Sequence, residues 1–191
     1  MNDSDFPEFR MGSVLATSFT ATLTERCGDR VERIPVPHRL VDWLAVSGLI
    51  VESCSDSELR HAQELREAVH LAATAIAAQD PLPSPAVALI NSCSEDGRAV
   101  PLLGAAGRKE WRLRSGSVRD ALSVIAADAI SIVSEERQGR LALCASPTCR
   151  AAFFDTSRGG TRRWCEMSTC GNREKKSRFL ANKRAATSLT K

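Results

Sequence analysis

The chain has 191 residues, enough to bury a real core either in one large domain or in a medium domain with a small module attached. Its net charge of +3 hides a split: from Glu136 onward there are thirteen Lys/Arg against four Asp/Glu, while the first 135 residues carry thirteen against nineteen. No stretch approaches a membrane-spanning length and no N-terminal run resembles a signal peptide, so a membrane protein and a disulfide framework are not expected, and a cytoplasmic protein with reduced thiols is.

In chain order, residues 1–11 are polar and expected to be disordered. A helical domain is expected over 12–136, a zinc module with a basic helix over 137–185, and a short tail over 186–191. Val14 to Leu23 is apolar and threonine-rich, ambiguous between a short helix and a strand, and Glu25 to Pro35 is charged and interrupted like a loop. Pro37 opens a short amphipathic helix with Leu40, Val41, Leu44 and Ala45 at helical spacing, Trp43 at its edge and Gly48 as its stop.

Ser55 and Glu58 stand three apart as a capping box, and Leu59, Ala62, Leu65, Val69, Ala72 and Ile76 continue a helical stripe to Asp80 and Pro81. His61 and His70 lie nine apart on this helix, hence on opposite faces, and form no metal pair. Pro85 to Cys93 predicts another short helix. Ala99 to Leu103 and Glu110 to Leu113 suit a small β-hairpin. Ser117 caps a further helix, whose stripe of Val118, Leu122, Ile125, Ala129, Ile132 and Val133 should pack on the helix that starts at Ser55. The fold class is therefore mainly α.

After a polar run over 134–139, Leu141 and Leu143 alternate as a short strand would, leading into two CxxxxC pairs, Cys144/Cys149 and Cys165/Cys170. Two thiol pairs on tight turns with a returning loop between them are the spacing of one structural zinc ion (Zn2+). Two disulfides or four ordinary thiols are the competing readings, and the expected reducing compartment disfavours the first. Phe153 and Phe154 are expected to form a hydrophobic cluster beside the metal, and Gly171 to supply a positive φ after the last cysteine. Cys27, Cys54 and Cys93 are scattered and read as small buried apolar residues.

The runs FFDTS, RRWCEM and CGNREKKSR resemble the C-terminal zinc finger of the CGNR family, from Cys144 to about Arg178. The larger N-terminal part of those bacterial proteins is the ABATE domain, which this chain resembles through LATSFTATL, DWLAVSGL and the long helix before the finger. The resemblance implies a multihelical body, a structural zinc finger and a stress-induced transcription regulator. Beside it, the basic appendage alone points to a polyanion, or more plainly to a solvated tail.

The expected nucleic-acid contacts are Arg162 and Arg163 before the third cysteine, and Arg173, Lys175, Lys176 and Arg178 on a helix after the fourth. Two of these have structural readings of equal weight: Arg173 as a donor to knuckle carbonyls and Arg163 as a cation stacked on Trp164. Asn172 is expected to cap that helix, with a base contact as the alternative. Double-stranded DNA is thus the first partner, with homodimerisation and a small-molecule or protein effector at the N-terminal domain as further expectations. An adaptor binding an acidic protein and a redox or zinc sensor are the alternatives. No nucleophile, base and orienting group form a recognisable motif, and no enzyme is expected.

Overall fold

The computed structural model describes residues 6–188, with side chains through Lys183. The first five residues of the segment expected to be disordered, and the last three of the tail, lie outside the described residues. From Phe6 onward the segment is seated on the body. The Phe6 and Phe9 rings lie 5.2 and 4.2 Å from the Arg39 guanidinium, and Arg33 Nε donates to the Glu8 carbonyl at 2.7 Å.

The elements are α1 (Leu15–Thr20), β1 (Leu23–Thr24), β2 (Val31–Glu32), α2 (Pro37–Val46), α3 (Asp56–Ala78), α4 (Ser84–Asp96), β3 (Ala99–Leu103), β4 (Lys109–Leu113), α5 (Val118–Val133), β5 (Arg140–Leu143), β6 (Ala152–Asp155) and α6 (Asn172–Ser188). The strands form three two-stranded antiparallel ribbons, β1–β2, β3–β4 and β5–β6, and the architecture is mainly α.

α3 forms where the capping box starts it. Ser55 Oγ accepts from the Glu58 N–H, and the Glu58 carboxylate accepts from the Ser55 N–H at 2.8 Å. The helix ends on Gln79 in the left-handed region, φ 59°, just before Asp80 and Pro81. Its buried face is rich in alanine, with Ala62, Ala68, Ala72 and Ala73, and these short side chains let α4 and α5 approach closely. α5 starts on Ser117, whose hydroxyl accepts from the Asp120 N–H.

Val14 to Leu23 resolves as helix α1 followed by β1. α1 is almost wholly buried between α3 and α5, so tertiary contacts decide what its short apolar pattern left open. Trp43 is fully buried rather than at the edge of α2, because Phe19 of α1 covers it, ring centroids 5.2 Å apart. A side chain of that size removes roughly 200 Å² from water, worth up to about 5 kcal/mol of transfer free energy.

Glu25 to Pro35 carries β2 and is pinned to α3 by charge. Arg66 donates to Glu32 at 2.7 Å and to Glu67 at 2.8 Å, while Arg26 donates to Glu67 at 2.6 Å. Of the charges that mark this stretch as a loop, Arg26 and Glu32 pair with α3 and Arg33 is buried, while Asp29 and Arg30 are exposed. Of the scattered cysteines, Cys93 is buried, Cys54 is half-buried and Cys27 is exposed, so Cys27 departs from the expectation.

The β5–β6 ribbon does not stand apart from the helices. Leu141, Ala152 and Phe154 belong to the same core as α3 and α5, and Ser13 Oγ donates to the Phe154 carbonyl at 3.0 Å. Phe154 therefore serves the body, not a cluster around the metal. The cysteines gather their own small cluster, with Ala151 and Trp164.

Candidate metal centre

Cys144 leaves the end of β5 and Cys149 closes a turn in which the N–H groups of Cys149 and Arg150 both donate to the Ser146 carbonyl at 3.2 Å. Cys165 follows the returning loop, whose Arg163 carbonyl accepts from the Ala145 N–H at 2.8 Å. Cys170 sits in a single π-helical turn, Met167–Gly171, that runs straight into α6. This wide turn starts the helix early. Asn172 is consequently inside it, with helical φ and ψ of −69° and −36°, and is not its N-cap; its side chain donates to the Ser168 carbonyl at 3.1 Å instead.

Gly171 has no positive φ. A Cβ there would meet Met167 Sδ, on a flexible and exposed side chain that can move aside, and come within 3.2 Å of Trp164 Cδ1, so the close approach favours glycine without demanding it.

The four sulfurs all lie within 4.8 Å of one another, with Cys165 Sγ 3.7 Å from those of both Cys149 and Cys170. Zinc–sulfur bonds of about 2.3 Å in a tetrahedron give sulfur–sulfur edges of about 3.8 Å. Disulfides need about 2.05 Å, so these are free thiols at metal spacing. Cys144, Cys149 and Cys170 are buried, and Cys165 is half-buried.

Electrostatics make the same demand. Hydrogen bonds from Cys149 and Cys165, supported by the backbone of Cys165 and Ser146, hold the Cys144 thiol far below its usual range. Its bond to Cys144 pushes Cys165 far above, and burial raises Cys170. Four crowded thiols cannot all ionise unaided; a divalent cation removes the repulsion. Donor chemistry and spacing fit one structural zinc ion.

The cations around this centre divide into two groups. Arg162 is exposed but engaged, with its guanidinium 4.9 Å from the Phe153 ring centroid, Nε donating to the Trp164 carbonyl at 2.9 Å and Nη2 donating to the Cys165 carbonyl. Arg173 pairs with Glu25, through Nη1 to Oε2 at 2.6 Å and Nη2 to Oε1 at 2.9 Å, rather than with knuckle carbonyls. Arg163 stacks over Trp164 at 5.2 Å and is otherwise exposed. Arg178 bonds Glu174 one turn back at 3.1 Å. Lys175 and Lys176 are exposed and make no ion pair among the described residues.

Sequence reasoning missed Glu25 and Thr148. Thr148 Oγ1 donates to Glu25 at 2.7 Å, and the loop after β1 is bonded to the first knuckle through Arg26 N to the Cys149 carbonyl at 3.2 Å and Cys27 N to the Thr148 carbonyl at 3.0 Å. No local spacing links positions so far apart in the chain.

Comparison with known families adds two findings. The model of the ABATE family, described as "Putative stress-induced transcription regulator", matches residues 13–136, and that of the CGNR zinc finger matches residues 140–183. A search of curated proteins finds no match. Neither family is described as enzymatic, and among the described residues no helix is long and apolar enough to cross a membrane. With more than half its length matched by the first model and its thiol cluster inside the second, the chain belongs to the ABATE family and carries a C-terminal CGNR zinc finger.

Proposed function

We propose that this chain is a DNA-binding transcription regulator in which Cys144, Cys149, Cys165 and Cys170 ligate zinc and α6 lies along duplex DNA. The observation that carries it is the contrast along α6: its root is tied down at Cys170 and Arg173, while Lys175 and Lys176, just beyond, are exposed cations without an ion pair among the described residues. A bound ion would neutralise the thiolates and cross-link the two knuckles, and four protein ligands leave no open position for catalysis. Lys175, Lys176 and Arg178, with Arg163 from the preceding loop, would meet phosphates or base edges. Arg162 and Arg173 act behind them, holding the returning loop and the helix root.

The helical domain over 13–136 would then sense a signal or pair with a second copy. A second reading has one observation in its favour: Phe179 and Leu180 on α6 are 68% and 43% exposed, which suits a protein partner with an apolar spot among acidic groups. Duplex-DNA binding by the zinc-loaded chain, lost on chelation and restored by zinc, tests the first reading. Binding that ignores zinc contradicts it.

A further inference from the structure

We propose that the cleft between residues 10–13, α1 and β6 is a binding site for a small oxyanion, a carboxylate or a phosphate carried on a short apolar body. It deepens the sensing role assigned above and rests on that reading only in calling the ligand an effector; the binding itself needs no DNA.

The cleft has a volume of about 150 Å³, and its lining includes Arg10, Thr17, Thr24, Phe153, Phe154 and Arg162. Arg10 Nη1 is buried and has no hydrogen-bond partner among the described residues. Such donors rarely go unsatisfied in native interiors, and an anionic acceptor is the chemistry that answers a guanidinium.

Two further features point the same way. Thr24 is 2% exposed and its hydroxyl accepts from Arg33 Nη1 at 2.6 Å, which leaves the hydroxyl hydrogen to donate to a ligand. Arg10 and Arg162 are the cations among the lining residues, and the Arg33 guanidinium beside Thr24 feels the charge of Arg10, partly offset by Glu25 and Glu32. The one carboxylate among the lining residues, Glu166, accepts from Thr169 Oγ1 at 3.0 Å. Phe153 and Phe154 supply an apolar surface, which a bare inorganic ion does not need and an organic acid does.

The position explains how occupancy would be read out. Cys165 lines the same cleft, and Arg162 donates to its carbonyl. A ligand held by Arg10 and Thr24 therefore sits in a cleft whose lining comes from both the helical body and the loop of the third cysteine. Tightening that cleft would change how firmly the returning loop, and with it α6, is held.

The test uses the full zinc-loaded chain and two probes, benzoate and inorganic phosphate, each read by thermal unfolding against sodium chloride of equal ionic strength. The expected result is a saturable rise of the unfolding midpoint with at least one probe. Benzoate alone identifies a carboxylate ligand, and phosphate alone a phosphate. Arg10→Met should need at least about tenfold more probe, the loss of a charge-assisted bond. Arg10 makes no hydrogen bond among the described residues, so this variant and Arg10→Gln should keep the wild-type circular dichroism and zinc content. No rise beyond chloride, or an equal rise in both Arg10 variants, overturns the site. Neither outcome depends on whether the chain binds DNA.

Discussion

Glu25 and Arg173 are 148 residues apart in sequence and form a two-pronged ion pair, 2.6 and 2.9 Å, that joins the loop after β1 to the root of the basic helix. The pair is reinforced by Thr148, which donates to Glu25 and accepts from Arg173 at 3.1 Å. Its hydrogen bonds to Arg173 hold the Glu25 carboxyl below the usual range, and the same bonds raise Arg173. Residues of the helical body and the finger thus share one charged joint, much as they share one apolar core through Phe154.

Because the Arg173 side chain is half exposed, solvent screening discounts the joint to about 1 kcal/mol of coupling. A double-mutant cycle with Glu25→Gln and Arg173→Gln in urea denaturation should return that value. Additive single effects would show that the two groups do not act together.

Replacing one thiol should release the ion. Cys165→Ser is expected to lower the zinc content from about one per chain to none and to lower the unfolding midpoint, while α2 to α5, which pack on one another away from the cysteines, keep most of the helical signal. Full zinc content in this variant, measured by atomic absorption, removes the four-thiolate assignment.

His70, on α3, provides a further pH dependence. Burial first, and the Arg26 charge second, lower its pKa to about 4, and its Nδ1 has no hydrogen-bond partner among the described residues. The native state holds it neutral, so its contribution is complete above the unfolded value of about 6.5 and is lost as the pH falls toward 4. Between pH 7 and pH 5 wild type should lose about 2 kcal/mol more than His70→Gln. Equal losses would mean that His70 is not the titrating group.

The strand that brings the chain to the first cysteine begins at a crowded glycine. Gly139 has φ +145°, and a Cβ there would come within 2.5 Å of the Phe154 ring and 3.0 Å of the Asp155 carbonyl. Gly139→Ala should cost about 1–3 kcal/mol in equilibrium unfolding. A neutral effect would show that the β5–β6 ribbon yields easily.

What could be read from the sequence follows the range of the interactions. The capping box at Ser55, the Ser117 cap, the 99–113 hairpin and the thiol spacing are local patterns, and each is written within a few residues. α1, Trp43 and the place of Phe154 depend on which distant surface covers them, and the local pattern could not say. The cations show the limit most clearly. Arg162, Arg173, Lys175 and Lys176 look alike as a basic run and all are exposed, yet two of them are engaged by Phe153 and Glu25 while the lysines make no ion pair among the described residues. Only the fold brings Glu25 to Arg173.

The central claim, that the basic helix beyond the finger contacts DNA phosphates, is tested most directly by fluorescence anisotropy of a labelled duplex with the zinc-loaded chain over a series of salt concentrations. Affinity should fall linearly on logarithmic axes, and Lys175→Ala/Lys176→Ala should flatten the slope by about 1.8, about 0.9 for each phosphate contact removed. Binding that is absent at low salt with zinc fully loaded, or a slope unchanged in the double variant, contradicts the claim and turns attention to a protein partner at Phe179 and Leu180.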